Sequence, residues 1–301
     1  MGLIKILPRS LHPCLSENFE VGLEEIRIRA GQETELIYGN GLSIRLKKVS
    51  EDEIMEMLNY LSDYSPYMLE EQLKQGFFTI AGGHRIGITG RANRTLTVSH
   101  EDVVKNIADI GAFNVRVAHE IKGCADELYS HLWDEGRFTN TFLLAEPGMG
   151  KTTFLRDLIR GISTGDGIHK GMKVGVVDER SEIAACYQGI PQNDLGPSVD
   201  VLDNCPKVKG MQMLLRTMSP QVIAVDELGG KEEFEAVMEI LYSGCFLVGT
   251  IHAGNVDELK SKPFMREMIE SGYIKRFAEI KRDERGSRYV VIFDERFQRI
   301  C

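Results

Sequence analysis

The chain has 301 residues, and 36 Lys and Arg against 45 Asp and Glu give a formal net charge of −9 at pH 7. That length suggests about two domains, and 43% hydrophobic residues are enough to bury a core, which excludes wholesale disorder. The acidic balance argues against a protein that coats nucleic acid. No apolar stretch approaches the roughly 18–20 residues that cross a bilayer, and no signal peptide or C-x-x-C pair is present. We therefore expect a cytoplasmic protein with reduced thiols.

Residues 1–120 predict a small α+β domain. Alternation of polar and apolar residues at the strand period marks its first strand, and Gly39-Asn40-Gly41 is a hairpin-turn signal. Ser50-Glu51-Asp52-Glu53 is a capping box, and Ser65-Pro66 is typical of a helix start. The predicted elements are strands at 25–29, 34–38 and 42–46, helices from 51 to about 64 and from 66 to 76, and a hairpin of strands at 78–80 and 86–88.

Residues 121–301 predict an α/β domain with a parallel sheet. Short, continuously apolar strands alternate with amphipathic helices, a pattern typical of a sheet that is covered on both faces. The last strand is expected at the edge of the sheet. The predicted strands are 141–144, 173–177, 222–225, 245–251 and 289–293, and the predicted helices cover 154–159, 211–218 and 232–242.

A phosphate-binding loop follows the first of these strands. Its residues are Ala145-Glu146-Pro147-Gly148-Met149-Gly150-Lys151-Thr152, which match G-x-x-x-x-G-K-[ST] at all but the first position. The two glycines let backbone N–H groups point into an anion-sized nest. We expect Lys151 to reach the β- and γ-phosphates of ATP, Thr152 to ligate Mg²⁺, and Thr153 to touch the α-phosphate. Ala145 is the smallest change from the usual glycine.

Two further strands end in paired carboxylates. Val222 to Val225 leads into Asp226-Glu227, which matches a Walker B site in which Asp226 holds Mg²⁺ and Glu227 orients and deprotonates the attacking water. Val176-Val177 leads into Asp178-Glu179, and ligands bind at the carboxyl ends of such strands. We expect Asp178 at the metal and Glu179 in a catalytic role, with Glu182 as a third nearby carboxylate or a solvated turn residue.

A histidine ends the next apolar strand, in the segment Thr250-Ile251-His252-Ala253-Gly254. A Thr or His at that place can hydrogen-bond the γ-phosphate. A lone histidine after a strand is more often structural, but its position after the two acidic motifs favours a catalytic role for His252.

The order of these motifs resembles the secretion ATPases of type II, type IV and retraction-pilus systems, which are RecA-like hexamers. Asp178-Glu179 corresponds to their acidic box, Asp226-Glu227 to Walker B and His252 to their histidine box. From about residue 20 to the end, the chain more closely resembles the stage III sporulation AA family. The phrases that carry this resemblance are 24–31, 82–87, 114–117, 177–183 and 189–202.

The resemblance implies a RecA-like P-loop ATPase core beside the smaller N-terminal domain. It implies a Mg²⁺-dependent ATPase that works as a ring, serving a sporulation channel between mother cell and forespore. Membrane proteins of that channel would be its partners and would recruit it to the membrane from the mother-cell cytoplasm. It also implies arginines from the N-terminal domain at the phosphates, with Arg85 and Arg116 foremost beside Arg91 and Arg94. A solvated strand face is the alternative for each. Arg180 is a further candidate.

Two other functions fit the same core. One is a translocase stimulated by nucleic acid, against which the acidic charge and the lack of an aromatic-basic stripe count. The other is a scaffold that binds ATP with little turnover, against which the intact Glu227 counts.

Overall fold

The computed structural model describes residues 2–61, 76–96, 102–262 and 264–301. The chain divides into two compact units, Met1–His119 and Glu120–Cys301. The helix predicted from Ser65-Pro66 lies outside the described residues. Within these ranges, no helix is long and apolar enough to cross a membrane.

The N-terminal unit is built on a six-stranded antiparallel sheet with the order β3-β2-β1-β6-β5-β4. A helix, α1, and two short 3₁₀ segments, Leu3–Ile6 and Arg9–Cys14, accompany it. The elements are β1 (Leu23–Arg29), β2 (Glu33–Tyr38), β3 (Ser43–Lys48), α1 (Glu51–Leu61), β4 (Phe77–Thr79), β5 (Arg85–Leu96) and β6 (Asp102–Arg116).

One face of this sheet is the core and the other is polar, as the alternation in β1 predicts. Ile26 and Ile28 are buried against Ile54 and Met57 of α1. The predicted strand at 86–88 is too short, because β5 pairs with β6 through Leu96 across two register shifts. Such bulges interrupt the alternation from which strands are recognised, and β6 was missed for the same reason.

The C-terminal unit contains a seven-stranded sheet with the order β11-β10-β12-β13-β9-β14-β15. Neighbouring strands of this sheet are parallel, except that β14 and the edge strand β15 are antiparallel to each other. Its strands are β9 (Asn140–Ala145), β10 (Val174–Asp178), β11 (Val199–Asp203), β12 (Val222–Leu228), β13 (Phe246–His252), β14 (Ile274–Arg282) and β15 (Arg288–Phe293), beside a small hairpin of β7 (Trp133–Asp134) and β8 (Arg137–Phe138).

Helices cover both faces of this sheet. Alternate residues of β12 go to opposite sides: Val222 and Ala224 join the core under α3, whereas Ile223 and Val225 join the core under α4 and α5. This double burial explains why the strands are continuously apolar. The helices are α2 (Asp126–Ser130), α3 (Lys151–Thr164), α4 (Lys207–Thr217), α5 (Lys231–Tyr242), α6 (Val256–Ser261) and α7 (Met265–Glu270).

The structure confirms the predicted fold class and each of the five predicted strands of this unit, with β15 at the edge. It adds β11 and β14, which sequence reasoning missed. Because β9, β10, β12 and β13 run in parallel, their carboxyl ends meet at one edge of the sheet, where Ala145 pairs with His252. The predicted motifs follow these strand ends.

Candidate active site

The predicted phosphate-binding loop connects β9 to α3. Gly148 and Gly150 have φ angles of +77° and +93°, a left-handed conformation that glycine adopts at little cost. α3 begins at Lys151, directly after this turn, so the unpaired N–H groups of its first turn continue the loop. Together with the positive end of the helix dipole, they make an anion-binding backbone.

Lys151 is held under the loop. Its side chain is buried, and Nζ donates to the carbonyl oxygens of Ala145 at 2.8 Å and Glu146 at 3.1 Å. Burial lowers the pKa of Lys151, while the charges of Asp226 and Glu227 act in the opposite direction. Ala145, which replaces the usual glycine, is itself buried at the end of β9 and supplies one of these acceptors.

An arginine from the sheet edge lies against the loop. Arg288 begins β15, and a Cβ placed on Gly150 would come within 2.9 Å of its Nη1. Arg288 is exposed at the start of β15. A guanidinium beside an anion-binding loop is suited to a phosphate or a nucleobase.

The two predicted Walker B carboxylates lie in a β-bulge of β12. In the pairing of β12 with β13, Val225 faces Gly249 and Leu228 faces Ile251, so Asp226 and Glu227 together oppose one residue, Thr250. Successive side chains of a regular strand point to opposite faces, and a bulge re-aims one of them. Glu227 has a φ of +53°, which departs from strand conformation at this point.

Thr250 holds the bulge from the neighbouring strand. Its buried hydroxyl accepts a hydrogen bond from the Glu227 N–H at 2.8 Å and donates one to Oδ1 of Asp226. Sequence reasoning considered Thr250 for the γ-phosphate. In the structure, its hydroxyl is instead committed to the two Walker B residues.

Thr152 and Asp226 meet where the metal is expected. Oγ1 of Thr152 donates to Oδ2 of Asp226 at 2.6 Å, although the two residues come from α3 and β12. A hydroxyl and a carboxylate side by side are hard oxygen ligands of the kind that Mg²⁺ prefers, and Mg²⁺ at phosphate sites needs only one or two protein ligands. The donor set therefore fits the ion.

His252 links the loop to the carboxylates. The ammonium of Lys151 is a donor only, so Nδ1 of His252, at 3.0 Å, accepts its hydrogen bond. The proton of the neutral imidazole is then on Nε2, which donates to Oε1 of Glu227 at 3.1 Å. The other oxygen of Glu227, Oε2, accepts from Nη1 of Arg180 at 2.6 Å. Lys151, His252, Glu227 and Arg180 form a linear network, hereafter the four-residue network.

Glu179 lies in the same crevice. Its carboxylate is 3.2 Å from Nζ of Lys207. Lys207 also donates to the Glu227 carbonyl at 2.9 Å and approaches Glu233. Lys207 thus ties the acidic strand end to the Walker B strand. Glu182 borders the same crevice.

Asp178 lines the same crevice as Asp226, but backbone donors occupy its carboxylate, and its role at the metal stays a prediction. Its buried carboxylate accepts backbone hydrogen bonds from Glu182, Ile183 and Ala184 at 2.8–3.0 Å. Burial raises the pKa of Asp178 to about 6, and these three hydrogen bonds act against that rise. Asp178 therefore anchors the loop after β10. Arg156 of α3 holds the same loop by donating to the carbonyls of Glu182 and Ile183.

The remaining predicted residues fall into two groups. In the loop, Glu146, Pro147 and Gly148 are exposed, Met149 packs on the core, and Thr153 follows Thr152 in the first turn of α3. In the N-terminal unit, Arg85 and Arg116 face each other across β5 and β6, and Arg116 pairs with Glu25 on its other side. Arg85 also lies over the Phe77 ring at 3.5 Å. Their role at the phosphates stays a prediction.

Sequence reasoning missed two cationic residues of this region, Arg288 and Lys207. Neither lies in a motif, and each reaches the site through the pairing order of the sheet. Lys207 did carry a weak signal, since it opens a helix that follows a strand of the parallel sheet.

Comparison with known proteins gives one family and one fold. The family model for sporulation stage III, protein AA, matches residues 3–300. Stage III sporulation protein AA of Bacillus subtilis is 38% identical over 97% of this chain and 94% of that protein.

Two solved structures share the fold. The Legionella pneumophila ATPase DotB superposes with a TM-score of 0.60 at 19% identity, covering 95% of this chain and 80% of DotB. The pilus retraction motor PilT, solved with bound ADP, superposes with a TM-score of 0.62 at 16% identity, covering 92% of this chain and 80% of PilT. At these identities the likeness concerns the fold alone.

Proposed function

The chain belongs to the sporulation stage III protein AA family, and from this membership and the site geometry we propose that it is a Mg²⁺-dependent ATPase. The observation that carries the proposal is the meeting of the loop with Walker B. Lys151 and Thr152 begin α3, and Thr152 contacts Asp226 at the end of a different strand. A glycine-rich turn with no role in phosphate binding would have no reason to place a strand-end carboxylate against the first turn of the helix that follows it.

Each residue has a role in this proposal. The N–H groups of the loop, with Gly148 and Gly150 in left-handed conformation, bind the phosphates, and Lys151 leaves its carbonyl partners to meet the β- and γ-oxygens. Thr152 and Asp226 hold Mg²⁺, which when bound neutralises charge on the β- and γ-phosphates.

The remaining roles concern the attacking water. Glu227 orients it and accepts its proton. His252 stands between Lys151 and Glu227, where it contacts both the phosphate-binding group and the base. Glu179 lies at the rim of the crevice, where Lys207 positions it. Met149 and Thr153 complete the loop, and Arg288 is placed to contact the nucleotide.

We further propose that the ATPase serves a sporulation complex. Membership of a sporulation family supports this step, as does the B. subtilis relative. The proposal includes assembly as a ring, partners among the membrane proteins of a channel between mother cell and forespore, and recruitment from the mother-cell cytoplasm by those partners. The arginines Arg85 and Arg116 are proposed to reach the phosphates within that ring.

The proposal is tested by measuring phosphate release from Mg·ATP by the purified chain. We expect turnover in the wild type and loss of nucleotide binding in Lys151→Ala. The proposal fails if the wild type does not hydrolyse ATP at any protein concentration. Adding single-stranded DNA or RNA tests the translocase, because strong stimulation of turnover would favour that alternative.

A further inference from the structure

The four-residue network engages both carboxylate oxygens of Glu227. His252 donates to Oε1 and Arg180 donates to Oε2. In the proposed reaction, an oxygen of this carboxylate must accept a proton from water, and an oxygen that already accepts a short hydrogen bond from a guanidinium is poorly placed to do so.

The two contacts differ in how nucleotide binding affects them. His252 belongs to a chain that begins at Lys151, so the departure of Lys151 to the phosphates removes the donor that fixes the imidazole. Arg180 has no such connection to the loop. It lies after β10, and among the residues that the structure describes, Glu227 is its one ion-pair partner.

Exposure indicates how strong the Arg180 contact is. The Arg180 side chain is 60% exposed, whereas that of Glu227 is 24% exposed. An ion pair with one exposed partner is weak and exchanges readily. It can slow a reaction by a small factor without blocking it, and a competing carboxylate can open it from the solvent side.

We propose that Arg180 is a latch on Glu227, holding Oε2 in an idle position and slowing hydrolysis in the isolated chain. This inference rests on the proposed ATPase function. Arg180 is then a positioning residue that lowers the rate of hydrolysis, in contrast to an arginine that assists the reaction at the γ-phosphate.

The test is steady-state hydrolysis of Mg·ATP by Arg180→Ala, Arg180→Lys and the wild type. Removing the guanidinium should raise kcat about two- to fivefold, the range that one exposed ion pair can produce. KM should stay within about twofold, because the hydrogen bond of Arg180 goes to Glu227 and not to a loop residue. Arg180→Lys keeps a cation and should return kcat toward the wild-type value.

Two control variants accompany this measurement. Arg216→Ala removes an exposed arginine from the last turn of α4, and its kcat should equal that of the wild type. The double variant Arg180→Ala/Glu227→Gln should lose turnover, which shows that the gained activity passes through Glu227.

The outcomes separate the latch from the function on which it rests. If the wild type hydrolyses ATP and Arg180→Ala is equally fast or slower, the latch is overturned and the ATPase stands. A slower variant would identify an assisting arginine, and an equally fast variant with a lower melting temperature would identify a structural ion pair. If no variant hydrolyses ATP although all of them bind it, the ATPase itself fails and the latch fails with it.

Discussion

The buried hydroxyl of Thr250 makes hydrogen bonds to both residues of the β12 bulge, Asp226 and Glu227. The substitution Thr250→Val therefore tests whether this hydroxyl holds the bulge. Valine has nearly the shape of threonine and removes only the hydroxyl. The variant loses a hydrogen bond to the charged Asp226 carboxylate and one from the Glu227 N–H. The first is worth about 1.5–3 kcal/mol and the second about 0.5–1.5 kcal/mol. We therefore expect the free energy of unfolding to fall by about 2–4 kcal/mol.

A matched control lies on the adjacent strand. Thr141 of β9 is also buried, and its hydroxyl donates to a neutral acceptor, the Thr139 carbonyl, at 3.0 Å. Thr141→Val should cost about 1 kcal/mol. Urea denaturation at pH 7 gives both values from the transition midpoint and slope. Thr250→Ser keeps the hydroxyl and should lie closer to the wild type.

The turnover rates of the two valine variants should differ in the same direction as their stabilities. Without the hydroxyl, Asp226 and Glu227 lose the contact that fixes their positions, so Thr250→Val should lower kcat at least tenfold while Thr141→Val leaves it unchanged. If Thr250→Val costs no more stability than Thr141→Val and retains full turnover, the bulge does not depend on this hydroxyl.

Two further predictions concern Gly150 and Asp178. Gly150→Ala would put a Cβ at a residue with a φ of +93° and within 2.9 Å of Arg288. Calorimetry should therefore show that the variant binds ADP at least tenfold more weakly, and that Gly150→Ala/Arg288→Ala restores the affinity only in part. An unchanged ADP affinity would contradict the close approach. Burial raises the pKa of Asp178 to about 6 from 3.8, so the folded chain holds this proton more tightly than the unfolded chain. The raised pKa adds at most about 3 kcal/mol to the free energy of unfolding. This stabilisation is complete below pH 4 and is lost as the pH rises through 6. Urea denaturation from pH 4 to 7 should show the decline in the wild type and not in Asp178→Asn; equal pH profiles would contradict the assignment.

Local patterns predicted the parallel sheet and the glycine-rich turn between β9 and α3. The glycines, Lys151 and Thr152 act within a few residues of one another, and the continuous apolar run before Asp226 reflects burial on both faces of β12. Such features depend on the segment itself and on its being covered. For that reason the sequence was sufficient to find them.

Features that depend on pairing were not predictable. The bulge at Asp226 and Glu227 requires the register of β12 against β13, and the approach of Arg288 to Gly150 requires the pairing of β15 with β14, which itself pairs with β9. The surroundings of Asp178 were not predictable either. Its carboxylate accepts hydrogen bonds from backbone N–H groups of the following loop, and no local motif indicates the path of that loop.

Phosphate release from Mg·ATP by the wild type, Glu227→Gln and Glu235→Gln tests whether Glu227 performs chemistry at a nucleotide held by the loop. The last variant is a matched control on the exposed face of α5, where Glu235 forms an exposed ion pair with Lys231. We predict that all three bind nucleotide with similar affinity, that the wild type and Glu235→Gln release phosphate at the same rate, and that Glu227→Gln releases it at least a hundredfold more slowly. Equal rates for Glu227→Gln and the wild type would show that Glu227 is not the base that accepts the proton of the attacking water.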